Sequence, residues 1–121
     1  MNKLEAAQKL QNRTKRFAIR IIQTFSSLPK TEATKIIGRQ FLRSGTSVAA
    51  NYRAACRARS LADFISKLSV VPEEADETLF WLELLMESKI VPSDSVEFIR
   101  RECHELVKIF SSSLTTAKSN R

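Results

Sequence analysis

Apolar residues recur along this chain every third or fourth position, the spacing that gathers them on one face of an α-helix. Phe17, Ile21, Ile22 and Phe25 set that rhythm in the first segment, and Leu28-Pro29-Lys30 closes it, so a helix is predicted over residues 4–27. Ile36, Ile37, Phe41, Leu42 and Val48 continue it, with Thr31 as N-cap, predicting a second helix over 32–57. Ser60 with Asp63 three positions on forms a capping-box variant ahead of Phe64, Leu68, Val71, Ala75, Leu79, Leu82 and Met86. The third helix is therefore predicted over 61–88, with a kink near Leu68 to Pro72 rather than a break. Ser93 or Ser95 is the expected cap of a fourth helix over 94–117, carried by Val96, Ile99, Cys103, Leu106, Val107, Phe110 and Leu114, with Ala117 to Arg121 frayed.

Only 2 glycines and 3 prolines occur in 121 residues, too few for a sheet with tight turns and well suited to long helices with short loops. Helices of roughly 24 residues span about 36 Å, and short connections force neighbours to run antiparallel. The predicted fold is all-α: one domain, residues 1–121, built as an antiparallel up-down-up-down four-helix bundle. The run Ser44-Gly45-Thr46-Ser47 is unusual inside a helix, because it places small residues where helix propensity is poor and close packing is favoured. Ser44, Ser47 and Asn51 fall at i, i+3 and i+7, so all three are expected on one buried face, bonding across to a neighbouring helix. No apolar stretch follows Met1-Asn2-Lys3-Leu4-Glu5, so neither a secretory signal nor a membrane span is expected, and the chain is placed in the cytoplasm.

The residue types needed for catalysis are scarce. His104 is the only histidine, and its neighbour Cys103 diverges from it by about 100° on a helix, which argues against a Cys-His dyad. Cys56 and Cys103 are expected to be buried, reduced and inert. Gly38 and Gly45 do not form a phosphate loop. Glu73, Glu74, Asp76, Glu77, Glu83 and Glu87 lack the Glu-x-x-His pairing of a di-metal bundle and read as a solvated or salt-bridged acidic face. The expectation is a protein that is not an enzyme and that has no cofactor or metal.

Charge changes the picture more. Residues 1–60 hold 13 Lys and Arg against 2 Asp and Glu, whereas residues 61–121 hold 7 against 11. A polyanion would be drawn to the first half, although the two halves of neighbouring subunits would neutralise each other equally well. Lys9, Arg13, Arg16 and Arg20 form a ladder on the first helix, Lys35, Arg39 and Arg43 form another on the second, and Arg53, Arg57 and Arg59 extend the charge to its end. Arg13, Arg16, Arg20, Lys35, Arg39, Arg43, Arg53 and Arg57 are the candidate nucleic-acid contacts. The aromatic residues within the two ladders, Phe17 and Phe41, belong to the apolar rhythm and are not read as a stacking surface, so contact with RNA or DNA is expected through backbone phosphates and not by base stacking. Phe80 and Trp81 broaden the apolar arc of the third helix beyond one core seam and are the candidate anchors of a subunit interface.

The string from Gln40 to Val91 resembles the four-helix-bundle family of proteins encoded in intervening sequences of bacterial 23S ribosomal RNA genes. The resemblance is carried by Arg43, Ser44, Ser47, Ala50, Asn51, Phe64, Glu74, Ala75, Glu77, Thr78, Trp81 and Leu82. That family is in turn similar to the accessory variability protein of diversity-generating retroelements, a pentameric basic barrel associated with nucleic acid and a reverse transcriptase. The resemblance implies a homopentamer, with nucleic acid and a polymerase as partners. Two departures stand out: Arg53-Ala54-Ala55-Cys56 occupies a segment where many relatives carry an acidic residue and a glycine, and Pro72 interrupts a regular helix. The function expected is that of a non-enzymatic homo-oligomeric module binding nucleic acid, as a ribonucleoprotein or reverse-transcriptase accessory. The alternative is a protein-protein scaffold whose basic face docks an acidic partner or a neighbouring subunit.

Overall fold

The computed structural model describes every residue from Met1 to Arg121. It contains four long helices, α1 (Lys3–Ser26), α2 (Glu32–Cys56), α3 (Leu61–Glu87) and α4 (Glu97–Ser119), with a single 3-10 turn at Ser93–Val96. No helix is long and apolar enough to cross a membrane.

Each helix start has a local cause. The Asn2 side-chain oxygen accepts from the Glu5 amide at 2.8 Å, Thr31 Oγ1 accepts from the Thr34 amide at 3.3 Å, and Ser60 Oγ accepts from the Asp63 amide at 3.1 Å. The Asp63 carboxylate in turn accepts from the Arg59 amide at 3.3 Å, which ties the residue before the cap to the first turn, and from Lys67 Nζ one turn on at 3.0 Å. The fourth start departs from expectation. Neither Ser93 nor Ser95 caps α4: its N-cap is Val96, with no side-chain bond. Pro92 is the reason, because the Ser95 amide and hydroxyl both donate to its carbonyl, at 3.2 and 2.7 Å, and wind the segment as a 3-10 turn first. α3 ends in a Schellman motif, in which the Ile90 amide donates to Leu85 O and the Lys89 amide to Met86 O, both at 3.0 Å. Lys89 takes the left-handed position, at φ 63°.

α3 runs unbroken through Pro72. α4 stays helical to Ser119 and buries Ala117, so the expected fraying begins later than Ala117.

Consecutive helices pack as neighbours: α1 on α2, α2 on α3, α3 on α4. α3 buries residues on two sides because it is packed by both α2 and α4. Phe17, Ile21, Phe41, Val48, Leu68, Leu82, Leu85, Ile99, Leu106 and Phe110 form the centre of the core, and Tyr52 meets Phe110 across the bundle with ring centroids 4.8 Å apart. α1 and α4 touch only sparingly, which leaves a seam open between them.

α1 and α2 approach closely at Gly45, where a Cβ would lie 2.7 Å from both Cγ atoms of Ile21. Ser44 is fully buried beside it and meets Thr78 of α3, with 3.0 Å between the hydroxyl oxygens. Ser44 Oγ is also 2.9 Å from Gln40 O, and Thr78 Oγ1 is 2.7 Å from Glu74 O. Each hydroxyl has one proton, so two of these three contacts are hydrogen bonds at any moment, and whichever hydroxyl donates across to the other helix releases its own carbonyl. Ser47 and Asn51 correct the expected buried trio. Both are only half-buried, and Asn51 Nδ2 donates within α2, to Ser47 Oγ at 2.7 Å and to Ser47 O at 2.9 Å. At about 100° per residue Ser47 and Asn51 fall on one side of Ser44 and the buried Phe41, Val48, Tyr52 and Ala55 on the other, so the pair sits at the edge of the buried arc of α2.

Ile22 and Ile36 also sit differently from the apolar rhythm: they are 47% and 58% exposed. Cys103 is fully buried, but Cys56, expected to be buried, is half-buried at the end of α2.

Candidate functional site

Two of the eight candidate cations are held by carboxylates of the acidic half of the chain. Arg13 Nε and Nη2 fork onto Glu102 of α4 at 2.8 and 2.7 Å, a bidentate pair in which the Glu102 side chain is largely covered. Arg43 reaches α3, where it contacts Glu74 at 3.2 Å and also pairs with Glu77. The neighbouring carboxylates raise the pKa of both guanidiniums. These two arginines tie helices together, unlike the other six candidates. The charge asymmetry between the halves is thus used in part within one chain.

Arg16, Arg20, Lys35, Arg39, Arg53 and Arg57 are exposed, and none is in an ion pair. They border three depressions on the α1–α2 half. A groove of about 680 Å³ between α1 and α2 is lined by Lys15, Arg53 and Arg57, with Ile19, Ile22 and the small side chains of Ala18, Thr46, Ala49 and Ala50 between them. Lys35 and Arg39 flank a smaller one of about 160 Å³ at the α1–α2 turn, with Lys30. Arg13, Arg16 and Arg20 line a third, of about 520 Å³, along the open seam between α1 and α4.

That seam holds a residue the sequence reading did not connect to the arginines. Phe98, from the first turn of α4, is 48% exposed, and the Arg20 guanidinium carbon stands 4.4 Å from its ring centroid. The tertiary fold therefore sets an exposed aromatic ring against the arginine ladder, where the sequence led us to expect no stacking surface. Linear spacing carries no signal of it, because Phe98 comes from the other end of the chain.

The exposed face of α3 is acidic. Glu73, Asp76, Phe80, Glu83 and Glu87 fall at i, i+3, i+7, i+10 and i+14 of α3, and all are exposed. Phe80 is 49% exposed and meets Trp81 edge to face, with centroids 5.0 Å apart. Trp81 itself is half-buried against the core, and its indole N–H donates to Glu77 at 3.0 Å.

The indole bond, followed by the Arg43 guanidinium, holds the Glu77 carboxyl below its ordinary value of 4.5. A depressed carboxylate contributes stability above its unfolded pKa and loses it as pH falls through the folded one. Fluorescence of the only tryptophan is accordingly expected to be flat from pH 7 to 5 and to change below about 4.5. Glu77→Gln should abolish that transition, and a transition retained in the variant would reject the assignment.

His104 is exposed while Cys103 is enclosed in the core, so the adjacent pair forms no nucleophile and base dyad. Nowhere do three or more His, Cys, Asp or Glu side chains converge as a metal site needs.

Comparison with protein-family models matches residues 6–112 to one described as 23S rRNA-intervening sequence protein. Among solved structures, the chain is similar to a protein of unknown function from the S23 ribosomal protein family of Bacteroides thetaiotaomicron. The two are 35% identical, the match covers 90% of this chain and 97% of that one, and the TM-score is 0.83. Comparison with curated proteins yields no match.

Proposed function

The chain belongs to the 23S rRNA-intervening sequence protein family, and from that premise we propose that it is a non-enzymatic, homo-oligomeric module that holds structured nucleic acid by its backbone phosphates. The observation that carries this reading is the set of six exposed cations, Arg16, Arg20, Lys35, Arg39, Arg53 and Arg57, left unpaired on α1 and α2. A chain that has carboxylates to spare on α3, yet leaves these cations free, presents a surface for an external anion. Arginine forks suit phosphate oxygens, and several on one surface would bind with little dependence on base sequence.

Self-association is supported by the exposed acidic face of α3 with Phe80 at its centre, which is complementary in charge to the α1–α2 half of a second copy. Such a contact joins two different surfaces, and it closes into a ring only when the rotation per subunit divides the circle. Five subunits, as the resemblance implies, would satisfy that condition. A polymerase partner belongs to the same reading.

The test is an anisotropy titration of a structured RNA and a duplex DNA across a range of salt. If all six cations meet phosphates, the slope of log K against log salt should be roughly −5 on duplex. Arg53→Glu combined with Arg57→Glu is expected to weaken binding at least about tenfold at low salt. An absence of salt-sensitive association would overturn the proposal in favour of a scaffold that docks an acidic protein. Sedimentation of the same samples reads the oligomer, and a monomer at every concentration would reject the self-association.

A further inference from the structure

The seam between α1 and α4 differs from the other two basic depressions in holding a guanidinium over an aromatic ring; the depression at the α1–α2 turn has Phe25 in its lining but no cation stacked on it. Its walls are Arg16 and Arg20 on α1 and Phe98 on α4, and its volume is about 520 Å³, within the range of small-ligand clefts. Behind them the Arg13–Glu102 pair crosses from helix to helix. That pair matters in two ways. It holds the two walls at a set distance where the helices otherwise barely touch, and it neutralises the one carboxylate lining the seam, so the free charge there is positive.

Phe98 is half-exposed, although its neighbours in sequence, Ile99 and Val96, are buried in the core. The ring is not needed to close the bundle. Instead it carries the Arg20 guanidinium at 4.4 Å, which fixes a flexible cation in place over an aromatic plane. A guanidinium resting on a ring presents a planar, charged, weakly hydrated surface to solvent, and such planes, like aromatic rings, stack on unpaired nucleobases. Arg16, one helical turn before Arg20, lines the same seam and is free to meet the phosphate attached to that base.

We propose that the α1–α4 seam is a subsite for a single unpaired nucleotide, its base stacked on the Arg20–Phe98 platform and its phosphate paired with Arg16. This rests on the phosphate-binding reading above and extends it: the protein would prefer nucleic acid with unpaired bases over a fully paired duplex. Stacking reads the π-face that every base has, so the subsite should accept any base, and a DNA hairpin should respond like an RNA hairpin of the same sequence.

The experiment titrates the full-length protein into an RNA hairpin with 2-aminopurine in its loop, the matching DNA hairpin, and a blunt RNA duplex of the same length. Wild type is expected to bind both hairpins more tightly than the duplex and to change the 2-aminopurine emission on binding. Phe98→Ala and Phe98→Leu should each lower hairpin affinity about tenfold, remove the emission change and leave duplex affinity as it was. Phe98→Tyr, which restores a ring, should recover both readouts. Because Phe98 is half-exposed, these variants are expected to fold, and a circular dichroism melt checks that they do. Equal wild-type affinity for hairpin and duplex, or a Phe98→Leu variant that binds and reports like wild type, would overturn the subsite while leaving the phosphate-binding reading in place. Failure of wild type to bind any of the three would overturn both.

Discussion

Replacing Gly45 with leucine is expected to cost about 3 kcal/mol or more, a large share of the roughly 5–15 kcal/mol that holds a domain of this size together. The reason is local geometry. Even a methyl group at Gly45 would come within 2.7 Å of Ile21 Cγ1 and Cγ2 and 3.1 Å of its Cβ, closer than side chains approach in proteins. Ile21 has no exposed surface and branches at Cβ, so it has no flexible end to swing away, and α1 must move off α2 instead. Gly45→Ala sets two effects against each other: about 1 kcal/mol of helix propensity gained and about 1–3 kcal/mol lost to overpacking. Overpacking outweighs propensity, and a net loss of stability is expected.

A double-mutant cycle separates propensity from overpacking. In an Ile21→Ala background both Cγ atoms are gone and only the Cβ at 3.1 Å remains, so most of the overpacking is relieved and Gly45→Ala should become markedly less destabilising. Urea melts of the four chains supply the measurement. A Gly45→Ala change with the same effect in both backgrounds would show that the helix contact is not what glycine serves there.

The two cysteines are expected to differ in alkylation by iodoacetamide far more than their shared chemistry implies. Cys103 is fully buried among Ile99, Leu106 and their core neighbours, and burial first, with Glu102 and Asp76 second, pushes its thiol up to about 12. The thiolate is the reactive form, and the reagent needs access, so modification of Cys103 has to wait for the bundle to open. A slowing of at least about a thousandfold relative to the unfolded chain is expected. Cys56 is half-buried at the open end of α2, beside Tyr52, and should be labelled in the folded state. Timed quenching and mass spectrometry read both sites. Comparable rates at the two positions in native protein would contradict the placement of Cys103. The same labelling should accelerate in Gly45→Leu, since a destabilised bundle opens more often.

The departures from the sequence reading share a pattern. Thr31 and Ser60 cap helices as expected because a cap bond spans three residues. Ser93 and Ser95 carry the same chemistry, yet the Pro92 carbonyl takes the Ser95 hydroxyl, a competition that residue preference alone does not settle. Ile22 and Ile36 obey the apolar rhythm but are exposed, because a helix with a neighbour on one side buries a narrower arc than its apolar residues cover. Arg13 and Arg43 look like the other rungs of their ladders. What sets them apart is Glu102 and Glu74, which reach them from helices far along the chain. Phe98 is the clearest case, since nothing near it in sequence marks it as a companion of Arg20.

The chain by itself therefore determined the four helices, most of their boundaries, the up-down order and the uneven distribution of charge. All of these follow from interactions three or four residues apart and from loops too short to allow another path. Only the tertiary structure decided which seam stays open, which arginines are spent on carboxylates and which remain free. It also decided that Gly45 faces Ile21 and that Phe98 lies under Arg20. Those outcomes depend on how far each helix turns about its own axis when it packs, and that rotation is set by the fit of side chains from distant segments, not by the period within any one of them.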